Sequence, residues 1–99
     1  MAGYVLAPEA LEDLQDIWDF ISLDNVFAAD EQINRLMEAF ERLAGWPGMG
    51  HRRADMGDRP IRFWPEGSYL IVYREESVPL QIVAILHGAR DAPSVIRDR

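Results

Sequence analysis

The chain has no cysteine and no lysine among its 99 residues. Without cysteine it cannot form a disulfide, use a thiol nucleophile or bind a metal through thiolates. The absence of lysine removes an amine that proteins readily tune into a general acid or base. Two histidines, His51 and His87, remain, and no carboxylates are spaced around them as in a metal motif. We therefore expect no metal site and no cofactor.

The sequence also lacks long apolar runs. None approaches the length needed to cross a bilayer, and no charged-then-apolar leader with a small-residue cleavage site opens the chain. The hydrophobic share of 48% is nevertheless that of a folded protein. We expect a cytoplasmic protein with no membrane contact, and the length predicts a single domain over residues 1–99.

The formal net charge of −7 is unevenly distributed. Residues 1–50 carry ten acidic side chains and two arginines, whereas residues 51–99 carry seven acids and eight arginines. Polyanion binding draws its affinity from basic side chains, so we expect no direct nucleic-acid binding. Every basic residue is arginine, whose planar guanidinium suits carboxylate pairing at protein interfaces. The composition therefore favours protein partners.

The first half of the chain has a helical pattern. Tyr4 to Leu6 predicts a short strand, and Pro8 suits the first turn of a helix. Asp24 or Asn25 is positioned to cap a second helix, which ends before Gly45 to Gly50. The predicted inward residues are Ala10, Leu14, Ile17, Trp18 and Ile21 on the first helix and Ala29, Ile33, Leu36, Met37, Phe40 and Leu43 on the second. We predict a solvent-exposed face formed by the acids Glu12, Asp13, Asp16 and Asp19. The short connection predicts an antiparallel hairpin.

The second half has the shorter period of strands. Three β-rich runs, separated by turn-like connectors, predict a meander: Ile61 to Trp64, Tyr69 to Arg74 and Leu80 to His87. The last run is apolar on both faces, as in a central strand covered on each side. Residues 92–99 add a helical turn or fray. The predicted fold is α+β, with a short N-terminal strand and a helix hairpin packed on one face of a mostly antiparallel sheet.

Five motifs, in order and over most of the chain, give a resemblance to a known family. They are Tyr4-x-Leu6-x-Pro8-x-Ala10-x-x-Asp13-Leu14-x-x-Ile17, Leu43-Ala44 with Pro47-x-Met49-Gly50-x-Arg52, Arg62-Phe63, Tyr69-Leu70-Ile71-Val72-Tyr73-Arg74, and His87-Gly88-x-Arg90-Asp91. Together they resemble the ParE branch of the ParE/RelE toxin superfamily. One departure is Ala7, where the family often has a capping serine; the loss costs about 1 kcal/mol of local stability.

The resemblance implies a bacterial toxin of a type II toxin-antitoxin system, of the kind associated with plasmid stabilisation. It also implies a ParD-like antitoxin that neutralises the toxin within a hetero-oligomer. ParE-branch toxins poison DNA gyrase and block replication, whereas RelE-branch toxins cleave messenger RNA on the ribosome. A non-toxic family member that only binds its antitoxin is a third reading. The fold does not choose between these activities.

The residues favour binding over catalysis. Ribonucleolytic cleavage needs a base, an acid and cations against the phosphorane charge. His87 is the single nearby acid or base, with Arg62, Arg74 and Arg90 as phosphate clamps, and residues 92–99 contain no aromatic or imidazole side chain. We therefore predict a toxin that acts by binding and has no catalytic residues, with a RelE-type endoribonuclease as the alternative.

The candidate contact residues are mainly arginines, which are enriched at binding hot spots. These residues also have structural explanations that involve no partner. The loop arginines are offset by Asp55 and Asp58, His87 ends a strand, and Arg90 and Asp91 form a local ion pair. We also expect Trp18 in the core and Trp46 partly exposed. The predicted antitoxin- or target-binding residues are Arg52, Arg53, Arg59, Arg62, Trp64, His87, Arg90 and Asp91.

Overall fold

The computed structural model describes residues 3–88, 92–97 and 99. Its elements follow the predicted order, and two short 3-10 turns, Pro47–Met49 and Ala54–Met56, lie between the hairpin and the sheet. The helices and strands are β1 (Tyr4–Leu6), α1 (Pro8–Ser22), α2 (Val26–Gly45), β2 (Ile61–Glu66), β3 (Tyr69–Arg74), β4 (Leu80–His87) and α3 (Ala92–Arg97). The α+β fold is confirmed, and residues 92–97 form a helix.

The helix hairpin begins and turns where the sequence predicts. Pro8 occupies the first turn of α1, and Asn25 caps α2 by accepting a hydrogen bond from the Ala28 N–H at 3.0 Å. The Trp18 indole N–H donates to Asp30 at 2.8 Å and so links the two helices. Trp18 is only half-buried, so its placement in the core is wrong.

The apolar stripe of α2 differs from the prediction at one position. Met37 is 43% exposed, whereas Ala39 is fully buried. Leu36, Phe40 and Leu43 define a stripe into which Ala39 falls, and Met37 lies at its margin. The prediction for Met37 is therefore wrong. Met37 is hydrophobic, but its position on the helix lies beside the buried stripe and not within it.

The sheet has the strand order β1-β4-β3-β2. Strands β2, β3 and β4 form the predicted antiparallel meander, and β2 and β3 are joined by Gly67 and Ser68, with Gly67 at φ +60°. This positive φ at the first turn position matches a type II′ hairpin turn and explains the glycine. Strand β1 pairs in parallel with β4, but only with Leu80 to Ile82. The longer β4 therefore extends beyond the strand beside it.

Strand β4 is buried on both faces, as the sequence predicts. The hairpin covers one face, where Ile82 and Ile85 meet a cluster that contains Leu14, Leu36 and Phe40. On the opposite face a second cluster packs under α3 and the Ala54–Met56 turn; it comprises Met56, Ile61, Phe63, Val72, Val83, Ala84, Leu86, Ala92 and Ile96. A register shift puts the neighbours Val83 and Ala84 in this same cluster.

Tyr73 fixes the loop between the hairpin and the sheet. Its side chain is fully buried, and its hydroxyl donates to the Pro47 carbonyl at 2.5 Å and accepts from the Gly50 N–H at 2.9 Å. A Cβ atom at Gly50 would stand 2.5 Å from that hydroxyl and 2.9 Å from the Phe63 carbonyl oxygen. Burial raises the pKa of the Tyr73 hydroxyl, which keeps it protonated and able to donate. Tyr73 thus joins the loop at Pro47 and Gly50 to the sheet.

We predict that Tyr73→Phe lowers the free energy of unfolding by about 1–3 kcal/mol, because the buried Gly50 N–H and Pro47 carbonyl lose their partner. Urea denaturation monitored by circular dichroism measures the change. Tyr69→Phe is the matched control, since the Tyr69 side chain makes no hydrogen bond with the described residues. Equal stabilities for the two variants would contradict the anchoring role of Tyr73.

Candidate protein-binding site

A groove runs between α1 and the end of the sheet where β3 begins and β4 ends. We call it the α1 groove; its volume is about 540 Å³. It is lined by Asp13, Asp16, Ile17, Phe20 and Ile21 of α1, Gln32 of α2, and Ser68, Tyr69, Ile85 and His87 of the sheet region. The groove lies along the part of β4 that β1 does not reach. The difference in strand length therefore creates this surface.

The α1 groove has a buried apolar base and an exposed apolar rim. Ile17 and Ile85 are 8% and 3% exposed, whereas Phe20 on the rim is 73% exposed. Beyond Phe20, the turn of the hairpin exposes Leu23 and Phe27. The exposed Phe20 beside the buried Ile17 and Ile85 makes this groove a candidate site for binding another molecule.

Two side chains occupy the edge of β4 in place of a strand. The Asp13 carboxylate accepts a hydrogen bond from the Ile85 N–H at 3.0 Å. Arg99 binds both Asp13 oxygens, at 2.6 and 3.1 Å, and donates to the Val83 carbonyl at 3.3 Å. The hydrogen bond to Asp13 raises the pKa of Arg99, so the guanidinium remains charged. Both side chains are largely buried, and the prediction of Asp13 as part of a solvated face is therefore wrong.

The edge remains available just past this ion pair. Residues alternate along a strand, so the Ile85 carbonyl and the His87 N–H face the same way as the Ile85 N–H that Asp13 binds. No described strand lies on that side of Ile85 or His87. The α1 groove thus combines apolar side-chain contacts with backbone groups able to pair with an added strand.

His87 lies in the α1 groove at the end of β4. Its ring packs edge-to-face against Tyr69, with ring centroids 5.8 Å apart, and the residue is exposed. The predicted Arg90–Asp91 ion pair, which follows it in the sequence, lies outside the described residues. His87 is therefore available for contact with a partner.

The described residues that the ribonuclease alternative requires do not meet in one site. His87 pairs with Tyr69 at one end of β3, whereas Arg74 lies at the other end, about 17 Å away along the strand at about 3.3 Å per residue. Arg62 is occupied: it donates to Glu75 at 2.7 Å and to the Gly50 carbonyl at 2.8 Å. These groups cannot act on one phosphate in this arrangement. The fourth member, Arg90, lies outside the described residues.

The other predicted loop arginines are also paired within the chain. Arg52 shares Glu75 with Arg62. Arg53 binds Asp55 through two nitrogens, at 3.1 and 2.7 Å, and its guanidinium lies 5.1 Å from the Phe63 ring centroid. The two interactions hold the loop before β2 against the sheet. As partner contacts, these arginines stay predictions.

The remaining predicted residues lie apart from one another. Arg59 is exposed, and Arg90 and Asp91 lie outside the described residues. The Trp64 ring stacks on His51 with centroids 6.4 Å apart, and its indole nitrogen is buried with no hydrogen-bond partner among the described residues. Trp46 is 70% exposed, in agreement with expectation. Of the predicted contact residues that the structure describes, His87 alone lines the α1 groove.

The sequence analysis overlooked Asp13 and Phe20. Phe20 follows Asp13 by seven residues, so the two lie on one side of α1, next to its buried stripe. A large aromatic residue on the acidic side of an amphipathic helix was a usable signal for a binding surface. Asp13 carried no such signal, because its partners Ile85 and Arg99 are distant in the sequence.

Comparison with known proteins identifies the family. Residues 4–92 match the family described as "ParE toxin of type II toxin-antitoxin system, parDE". The chain therefore belongs to the ParE toxin family of type II toxin-antitoxin systems. No curated protein matches it.

A solved structure shares the fold. It is a chain of the "Chromosomal ParDE TA system from P. aeruginosa", with a TM-score of 0.70 and 19% sequence identity over 88% of this chain and 96% of that one. In the described part of this chain, no helix has the length and hydropathy of a membrane span. No group of metal-binding side chains was found among the same residues.

We predict that Asp13→Ala lowers the free energy of unfolding by about 1–3 kcal/mol, because the Ile85 N–H and Arg99 both lose a charged acceptor in a largely buried setting. Thermal and urea unfolding measure the loss. Asp16→Ala removes an exposed acid from the same helix and should change stability by no more than about 0.5 kcal/mol. Similar effects of the two substitutions would contradict the proposed role of Asp13 at the edge of β4.

Proposed function

We propose that this chain is a toxin neutralised by a ParD-like antitoxin, a segment of which binds in the α1 groove. The observation that carries the proposal is the groove itself: an apolar base, an exposed aromatic rim and a free strand edge on a member of a toxin family. A chain from a ParDE system has the same fold, and this likeness supports the choice of partner.

The shape of the α1 groove suits an amphipathic segment. Phe20, Ile17 and Ile85 provide the apolar contacts that anchor residues at helical spacing. The Ile85 carbonyl and the His87 N–H offer main-chain pairing to an extended stretch of the same segment. One polypeptide that is helical beside α1 and extended beside β4 would use both features.

The same geometry supports action by binding rather than by catalysis. The cations of the ribonuclease alternative are separated from His87 or are already paired with Glu75. The chain also lacks lysine. We infer that the chain is a single-domain toxin of the cytoplasm that acts by binding a protein target. It would have no catalytic residue of its own.

DNA gyrase is the target that we propose. This choice rests on the ParE branch of the superfamily, to which the motifs and the family match both point. Binding to gyrase that traps cleaved DNA would block replication. The exposed residues Arg52, Arg59 and His87 stay candidate contacts for the target or the antitoxin.

We predict that Phe20→Ala weakens antitoxin binding by about thirtyfold, since loss of an aromatic anchor that the partner covers costs about 2 kcal/mol. Isothermal titration with the purified antitoxin measures the affinity. Phe27→Ala is the matched control, because Phe27 is also highly exposed on the hairpin (86%, against 73% for Phe20) but does not line the groove. An unchanged affinity for Phe20→Ala, with the variant folded, would remove the α1 groove from the interface.

Expression of the chain without an antitoxin tests the activity. We expect growth arrest, double-strand breaks and induction of DNA repair, with messenger RNA left intact. Message cleavage on translating ribosomes that is abolished by His87→Ala would instead establish the endoribonuclease. Unchanged growth at a verified level of folded protein would indicate a family member that binds its antitoxin and harms nothing.

A further inference from the structure

The arginines of the described residues fall into two groups. Six have a carboxylate partner within 4 Å: Arg35, Arg42, Arg52, Arg53, Arg62 and Arg99. The other three are Arg59, Arg74 and Arg97, and none of them has an ion pair or side-chain hydrogen bond with a described residue. All three line the same hollow, although they are far apart in the sequence.

This hollow, which we call the arginine hollow, has a volume of about 290 Å³. Arg59 precedes β2, Arg74 ends β3 and Arg97 lies on α3, so three separate elements bring the cations together. Ile61 and Ile96 provide a buried apolar base. Arg74 pairs with Gln81 at the start of β4, so the hollow lies at the opposite end of the sheet from the α1 groove.

The local charge contrasts with that of the whole chain. The chain has 17 acidic residues and only ten arginines, yet no described acid neutralises these three. Asp55, which lines a neighbouring hollow with Arg59 and Arg97, pairs with Arg53, and Glu9 lines an adjoining hollow with Arg74. Arg99, which also lines the arginine hollow, is neutralised by Asp13. Like charges around a concave surface repel one another and concentrate anions there.

We propose that the arginine hollow binds the carboxylates of a short acidic segment of a partner protein. Arginine pairs with carboxylates through two parallel hydrogen bonds, and three separated guanidinium groups would bind three acidic side chains. The apolar base contributed by Ile61 and Ile96 would contact the methylene groups of glutamate. This site goes beyond the antitoxin groove and does not depend on the identity of the toxin's target.

The observations favour a protein over a nucleic acid. A nucleic acid gains affinity by neutralising many phosphates along an extended basic surface. Among the described residues, the arginines without an acidic partner meet in one hollow, and the ten acids of residues 1–50 make the other half of the chain strongly negative. A short acidic segment can bind at the hollow itself, where no acidic side chain is among the lining residues.

Fluorescence anisotropy with a labelled peptide of eight glutamates tests the proposal on the full chain. We expect saturable binding that weakens as salt rises, and a loss of at least about tenfold for R59Q/R74Q/R97Q, since each exposed ion pair contributes up to about fivefold. Arg35→Gln is the matched control, because it removes the same charge from an exposed, paired arginine of α2 and should change affinity by less than about twofold.

Three outcomes would overturn the proposal. One is no saturable peptide binding by the unaltered chain, and a second is equal binding by the triple variant. The third is tighter binding of a single-stranded oligonucleotide of equal charge that the triple variant abolishes, which would make this a phosphate site. If the triple variant does not fold, Arg97→Gln on the surface of α3 provides the comparison. The assay contains neither antitoxin nor gyrase, so its failure is independent of the function proposed above.

Discussion

The unequal lengths of β1 and β4 are the constraint on which the functional surface depends. Strand β4 has eight residues and is covered on both faces, whereas β1 has three and pairs only with the first three of them. Backbone groups beyond Ile82 must find other partners, because an unpaired N–H in a half-buried edge is costly. Asp13 and Arg99 satisfy the Ile85 N–H and the Val83 carbonyl. These two side chains do not reach the edge of β4 at His87, and there the α1 groove is open to a partner.

The two candidate binding surfaces lie at opposite ends of the sheet and differ in chemistry. At the end where β3 begins, apolar side chains of α1 and a strand edge form a groove suited to an amphipathic segment. At the other end, three arginines that form no ion pair with a described acid surround a small hollow, which we propose for acidic side chains. Tyr73 connects this scaffold to the loop before β2 and fixes Pro47 and Gly50. If both proposals hold, this ParE family member has two separate binding surfaces at opposite ends of one sheet.

The sequence was sufficient for the order of elements but not for the site. Helical and strand periods, Pro8, and the capping Asn25 gave the hairpin and the meander, and the apolar run Leu80 to His87 gave the central strand. The parallel pairing of β1 with β4 was missed, because nothing in three residues encodes a partner 76 positions later. The Asp13–Arg99 pair and the meeting of Arg59, Arg74 and Arg97 were missed for the same reason. Met37 and Trp18 were misplaced because helix periodicity leaves the margin of an apolar stripe undetermined.

Amide hydrogen exchange on the free chain and on its complex with a ParD-like antitoxin tests the central claim most directly. The account predicts that the antitoxin slows exchange in α1 from Asp13 to Ile21, at Tyr69 and at His87, the residues that line or border the open end of β4. Arg35 and its surroundings on α2 should show no change. Protection confined to other surfaces, with the His87 amide exchanging as fast in the complex as in the free chain, would contradict the account.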